Sequence, residues 1–107
     1  MKLKAGASLD GVSWRLFAAA IVVERCFNAR GYECWITSGS DPAHARLPNT
    51  KHARGEALDF RTRHVPDNDR EPLAEEVQKV LGPGFDVVLV NKHHTKPDHL
   101  HVEYDAD

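Results

Sequence analysis

Apolar residues recur at helical spacing in two stretches of this chain and at alternate positions in several others, with polar, turn-forming segments between them. Leu16, Ala19, Val23 and Phe27 follow one another at three- and four-residue intervals, one stripe along a helix. The pattern predicts a helix from Ser8 or Asp10 to Arg30, with either side-chain oxygen as its N-cap and Gly31 as its stop. Trp14, Phe17 and Ile21 are expected to broaden the stripe. A second helix is expected over residues 69–81, with Pro72 in its first turn, acidic residues early, Lys79 late and Gly82-Pro83-Gly84 as terminator.

Between and after these helices the period changes to two. Residues 33–37 alternate Cys34 and Ile36 against Trp35 and Thr37, a short strand broken by Ser38-Gly39-Ser40-Asp41-Pro42. From there to Gly55 the chain is expected to be a loop, long enough for a compact domain to suggest a binding loop. Residues 85–90 are nearly all apolar, the pattern of a central strand covered on both faces. Residues 91–97 read as a polar loop leading into a last strand. Repeats, linkers and low-complexity segments are absent, so the expected fold class is α+β: one domain over 1–107, with helices on one face of a mostly antiparallel sheet.

The two remaining strand patterns carry the chemistry. In Ala57 to Arg61, a period of two sends Leu58 and Phe60 to the core and Asp59 to the opposite face. In His99 to Tyr104 it sends Leu100, Val102 and Tyr104 to the core, and His99, His101 and Glu103 to the other side. An ionised Asp59 held between Leu58 and Phe60 is costly unless its charge is compensated, and a metal cation is one such compensation. Zinc takes imidazole nitrogen and carboxylate oxygen at roughly 2.0–2.2 Å, and a catalytic site uses three protein ligands with the fourth position left to water. His52, Asp59 and His101 would make such a three-ligand site. Asp98 lies three residues before His101 and reaches the metal's water only from a turn after Pro97, which is tolerated at a strand's start.

Composition narrows the function classes. At 107 residues the chain buries one core of modest size, in the range where a bound metal helps stability. A net charge of -2 gives no support to nucleic-acid binding, which usually shows a basic patch or high pI. No stretch approaches the ~20 apolar residues of a membrane span. The start Met1-Lys2-Leu3-Lys4 followed by Leu16 to Val23 is faintly signal-like. Asp10 and Arg15 interrupt it and no small-x-small cleavage site follows, so it is read as part of the fold. Cys26 and Cys34 are expected to be free thiols.

Thr37-Ser38-Gly39, then Thr50-Lys51-His52-Ala53-Arg54-Gly55-Glu56-Ala57-Leu58-Asp59, then Asp98-His99-Leu100-His101 resemble, in order and spacing, the zinc D-Ala-D-Ala peptidases. That group includes D-alanyl-D-alanine carboxypeptidases, vancomycin-resistance dipeptidases and L-alanyl-D-glutamate endopeptidases of phage endolysins, and shares its fold with the hedgehog signalling domain. The resemblance implies a hedgehog/DD-peptidase-like fold, one zinc ion held by His52, Asp59 and His101, and Asp98 as catalytic acid/base. The implied substrate is an amide bond of bacterial peptidoglycan stem peptide, cut by a monomer. It also implies a phage- or prophage-encoded enzyme made in the cytoplasm without a signal peptide and acting at the cell wall. Family members often carry an arginine just after the Ser-Gly, where this chain has Ser40-Asp41; Arg46 or Arg54 is the expected substitute for holding substrate or the developing oxyanion.

Other polar residues take lesser roles. His99 is a candidate oxyanion donor, and Glu103 a candidate for orienting a ligand, since metal-bound histidines usually donate their second N–H to an acceptor. His93 and His94 point opposite ways on an extended segment and are not expected to be ligands. His44 and His64 read as loop residues, with His44 a possible lining of the cleft; Arg61 and Arg63 are able to attract a substrate carboxylate. Two other function classes compete: a zinc-stabilised binding module that has lost hydrolysis, and a metal-dependent nuclease built on His93-His94 and the Asp98 to His101 cluster. Incubation with plasmid and zinc or magnesium separates the last from the peptidase.

Overall fold

The structure, a computed structural model, describes residues 1–40, 50–52, 54–91 and 97–105. Its first helix, α1, spans Trp14–Ala29 and begins later than either expected cap. Ser13 is the residue in extended conformation whose hydroxyl accepts from the Arg15 amide, so the first turn closes there. The helix ends as expected at Gly31, whose φ of 83° lets the Tyr32 and Gly31 amides return to the Phe27 and Asn28 carbonyls. Leu16, Ala19, Val23 and Phe27 are all buried. Trp14, Phe17 and Ile21 do not broaden that stripe: they lie on the other side of the helix and are exposed.

Five strands form one sheet in the order β1-β2-β3-β5-β4: β1 Lys2–Leu3, β2 Trp35–Ser38, β3 Ala57–Arg61, β4 Phe85–Val90 and β5 His99–Tyr104. The sheet is mixed. β2–β3, β3–β5 and β5–β4 pair antiparallel, but β1 joins β2 in parallel after a crossover through α1. At two residues, β1 is too short to show a period of two. The apolar run of β4 is an edge strand and not a central one, with Val88 half exposed. Its outer backbone is capped from the second helix: Gln78 accepts from the Val87 amide at 3.0 Å and donates to the Phe85 carbonyl at 2.7 Å.

That second helix, α2, spans Asp67–Leu81 and starts two residues before the expected position, which leaves Pro72 in its second turn on the exposed side. Leu73 and Val77 of α2 and the α1 stripe close on Ile36, Leu58, Phe60, Leu100 and Val102 of the sheet in one core. Asp59 and His101 point to the opposite face. Among the described residues no helix is long and apolar enough to cross a membrane. Cys26 and Cys34 are free and buried, and burial pushes the Cys34 thiol up to about 12, so neither is a reactive thiolate at neutral pH.

Candidate metal centre

The site begins with a register. Asp59 of β3 is the direct partner of His101 of β5, Arg61 of His99, and Ala57 of Glu103. Side chains that alternate along each strand therefore meet across the pair, and Asp59, His99, His101 and Glu103 share a face.

His52 comes to that face on a short turn. Glu56 and Gly55 donate backbone bonds to the Lys51 and His52 carbonyls, and the Lys51 ammonium ties the turn to the Tyr104 carbonyl at 3.1 Å. The segment before α1, which the sequence pattern assigned to the helix, instead braces both ends of this arrangement. Ser40 donates to the Ser8 carbonyl and Ser13 to the Gly55 carbonyl, each at 2.8 Å. This close approach explains two glycines: a Cβ at Gly39 would fall on the Ser8 carbonyl oxygen, and one at Gly55, where φ is 74°, on the Gly11 carbonyl.

Within this frame Asp59 stands between two imidazoles. Its Oδ1 is 2.9 Å from His101 Nδ1 and its Oδ2 is 3.3 Å from His52 Nε2. The far nitrogen of each ring is also engaged: His52 Nδ1 lies 2.9 Å from the Gly39 carbonyl and His101 Nε2 lies 2.8 Å from Glu103 Oε1. His52 and Asp59 are each 8 % exposed, so water satisfies little of this.

A carbonyl only accepts, so His52 Nδ1 carries the N–H, and in the neutral ring its Nε2 lone pair then faces the Asp59 carboxylate. Two acceptors in contact in a buried site need a proton or a metal ion between them. The same holds at His101, where both nitrogens meet carboxylates. One donor atom from each of His52, Asp59 and His101 lies within 4.8 Å of the others, a set that can hold a metal ion. Two imidazoles and a carboxylate suit zinc, whose tetrahedral ligands stand about 3.4 Å apart, close to the separations from Asp59 given above. A second acidic group, Asp86, Glu103 and Asp105, offers carboxylates alone at the more open end of β4 and β5.

The electrostatics agree. Burial by itself would raise the Asp59 carboxyl, but hydrogen bonds from His101 and His52 outweigh it and hold the group well below the usual carboxylate range. The hydrogen bond to Asp59 raises His101 above its ordinary value against the opposing effect of burial, with Glu103 adding to the rise.

The pH dependence follows with opposite signs for the metal-free and metal-loaded protein. In the metal-free state the raised His101 contributes stability below its unfolded pKa of about 6.5, lost as pH rises through the higher folded value. The depressed Asp59 contributes above about pH 4, lost only as pH falls through its lower folded value. A bound metal needs the His101 proton gone, so its affinity climbs with pH over the same window. Thermal unfolding between pH 6 and 8.5 should show the metal-free protein losing stability and the metal-saturated protein gaining it. Parallel slopes would remove His101 from the ligand set.

Glu103 is the acceptor that aims His101. Glu103→Ala is expected to weaken metal binding by about 10–100-fold, the usual cost of losing such an outer partner, as read by competition against a chelating dye.

Other expected site residues are placed as follows. His99 is on the metal face, its Nε2 3.8 Å from Asp59 Oδ1 and its Nδ1 2.8 Å from the Pro97 carbonyl. Asp98 stands outside the three-ligand set, its Oδ2 2.7 Å from Arg70 Nη1 on α2. Arg54 pairs with Glu56 on the surface, and Arg61 lies over the Trp35 ring. His64 is structural, bonded to the Glu33 carbonyl at 2.7 Å and stacked on Phe27. Arg46, His44, His93 and His94 lie outside the described residues. Arg70 had no signal in the sequence, where it is one charge among several in an amphipathic helix. No family profile, curated protein or solved structure matches the chain.

Proposed function

We propose that the protein is a zinc peptidase that hydrolyses an amide bond in bacterial peptidoglycan stem peptides, on a hedgehog/DD-peptidase-like fold. The observation that carries this reading is the buried trio of His52, Asp59 and His101, with both imidazoles oriented from behind by Gly39 and Glu103. Among the described residues the set has three protein donors, the number a catalytic zinc uses, whereas structural sites usually close the fourth position with protein.

His52, Asp59 and His101 would hold the ion, and Asp59 would supply the charge that balances it. When bound, zinc polarises the scissile carbonyl and lowers the pKa of water at its open position toward ~7. Asp98 accepts the proton of the attacking water and returns it to the leaving amine. His99 lies on the metal face with its Nδ1 N–H committed to the Pro97 carbonyl, so it would donate toward a developing oxyanion from Nε2 only as the imidazolium. Arg54 or Arg46 holds substrate in place of the arginine the resemblance leads one to expect.

Ser40-Asp41 in that arginine's place favours a second reading, a zinc-stabilised wall- or protein-binding module without turnover. Incubating zinc-loaded protein with purified peptidoglycan and following new primary amines separates the two. Amines that appear with zinc and stop with chelator support the peptidase; wall binding with no new amine supports the module.

A further inference from the structure

Arg70 is 7 % exposed, and its guanidinium is engaged on every nitrogen. Nε donates to the Val65 carbonyl at 2.8 Å and Nη2 to the Arg63 carbonyl at 3.2 Å. Nη1 faces three acceptors: Asn91 Oδ1 at 2.6 Å, Asp98 Oδ2 at 2.7 Å and Asp67 Oδ1 at 3.1 Å. One side chain thus gathers the turn after β3, the first turn of α2, the residue after β4 and the residue before β5.

All of this lies at one end of the sheet, one step beyond the level where Arg61, His99 and Val90 pair. The direction of Asp98 is set there. On an unbroken extension of β5, Asp98 would share the core side with Leu100, away from Asp59 and His101. It sits before the first residue of β5, where the ladder does not dictate its course, and a buried cation on α2 holds one of its oxygens. A guanidinium fixed by two carbonyls presents its Nη1 in one place, so it fixes the carboxylate as a rigid fork does, which a lysine's single flexible ammonium cannot do.

We propose that Arg70 is a positioning residue for the hydrolysis, acting through Asp98: it sets where that carboxylate stands, one residue before the strand that carries His101. The proposal rests on the peptidase reading above. None of the described partners of Arg70 belongs to the three-ligand set, so its removal is expected to leave zinc binding alone. The carboxylate is left misplaced, and displacement of a catalytic group by about 1 Å costs on the order of a hundredfold in rate.

The test is a set of turnover measurements on purified peptidoglycan with wild type, Arg70→Lys, Arg70→Gln, Asp98→Asn and the Arg70→Lys/Asp98→Asn double variant. Each is zinc-loaded and assayed well below its own unfolding temperature. The expected result is unchanged zinc content and KM, a kcat about 10-fold lower for Arg70→Lys and about 100-fold lower for Arg70→Gln. In the Asp98→Asn background, Arg70→Lys should cost nothing further. A kcat untouched by Arg70→Lys and Arg70→Gln, or a loss that multiplies in full on top of Asp98→Asn, overturns the positioning role while leaving the peptidase reading standing. Absence of turnover in the zinc-loaded wild type overturns that reading and the Arg70 role together.

Discussion

Asp59→Asn is expected to weaken zinc binding by far more than a hundredfold and to abolish wall hydrolysis. Loss of an outer partner costs about 10–100-fold in metal affinity, whereas Asp59 is itself a donor and the only carboxylate in the three-ligand set. Its replacement by a neutral amide removes the charge that balances the ion in a site where His52 and Asp59 are both buried. The metal-free protein suffers as well, because the two rings that Asp59 now bridges lose their shared acceptor. Breaking one partner of a buried charged group costs roughly 3–5 kcal/mol. Zinc content by mass spectrometry and the unfolding transition read the two effects separately. A variant that still binds one zinc per chain would show that the ion sits elsewhere.

Asp98→Asn should behave in the opposite way toward the metal. It stands outside the ligand set, so zinc stays, while loss of a general acid/base lowers turnover by about 10²–10⁴-fold. Asparagine is the informative substitution because its carbonyl oxygen still accepts from Arg70 Nη1. Asp98→Ala would leave that buried guanidinium short of an acceptor and confound chemistry with stability. Unchanged hydrolysis in a zinc-loaded Asp98→Asn protein would take Asp98 out of the mechanism.

The parts of this molecule legible in its sequence are those where a local pattern has only one way to be buried. Leu58 and Phe60 have to enter the core, so Asp59 has to leave it; Leu100 and Val102 do the same for His101. Pairing of those strands then brings the two together without further information. His52 was found by its spacing, and the turn that carries it forms from its own backbone bonds.

What stayed hidden depends on partners far along the chain. The apolar run of β4 records that its side chains avoid water, but not whether a strand lies on each side, and here Gln78 takes the place of the missing neighbour. Ser8, Asp10 and Ser13 are all competent N-caps by residue type. The close packing of residues 8–13 against Gly39 and Gly55 decides for Ser13. Hydrophobicity alone widens the stripe on α1 to Trp14, Phe17 and Ile21, although their angular position puts them outside. Arg70 is the extreme case. A charged residue at the start of a helix rich in Asp and Glu has every local reason to be solvated, and only the convergence of three loop ends makes its burial favourable.

The most direct test of the central claim is mass spectrometry of the fragments released from purified cell walls by the zinc-loaded protein, with chelator-treated protein and the His101→Ala variant alongside. The account predicts stem-peptide fragments with new termini at a single amide bond, formed by the zinc-loaded protein alone. Walls left with every stem peptide intact, while the protein carries its full complement of zinc, would contradict it.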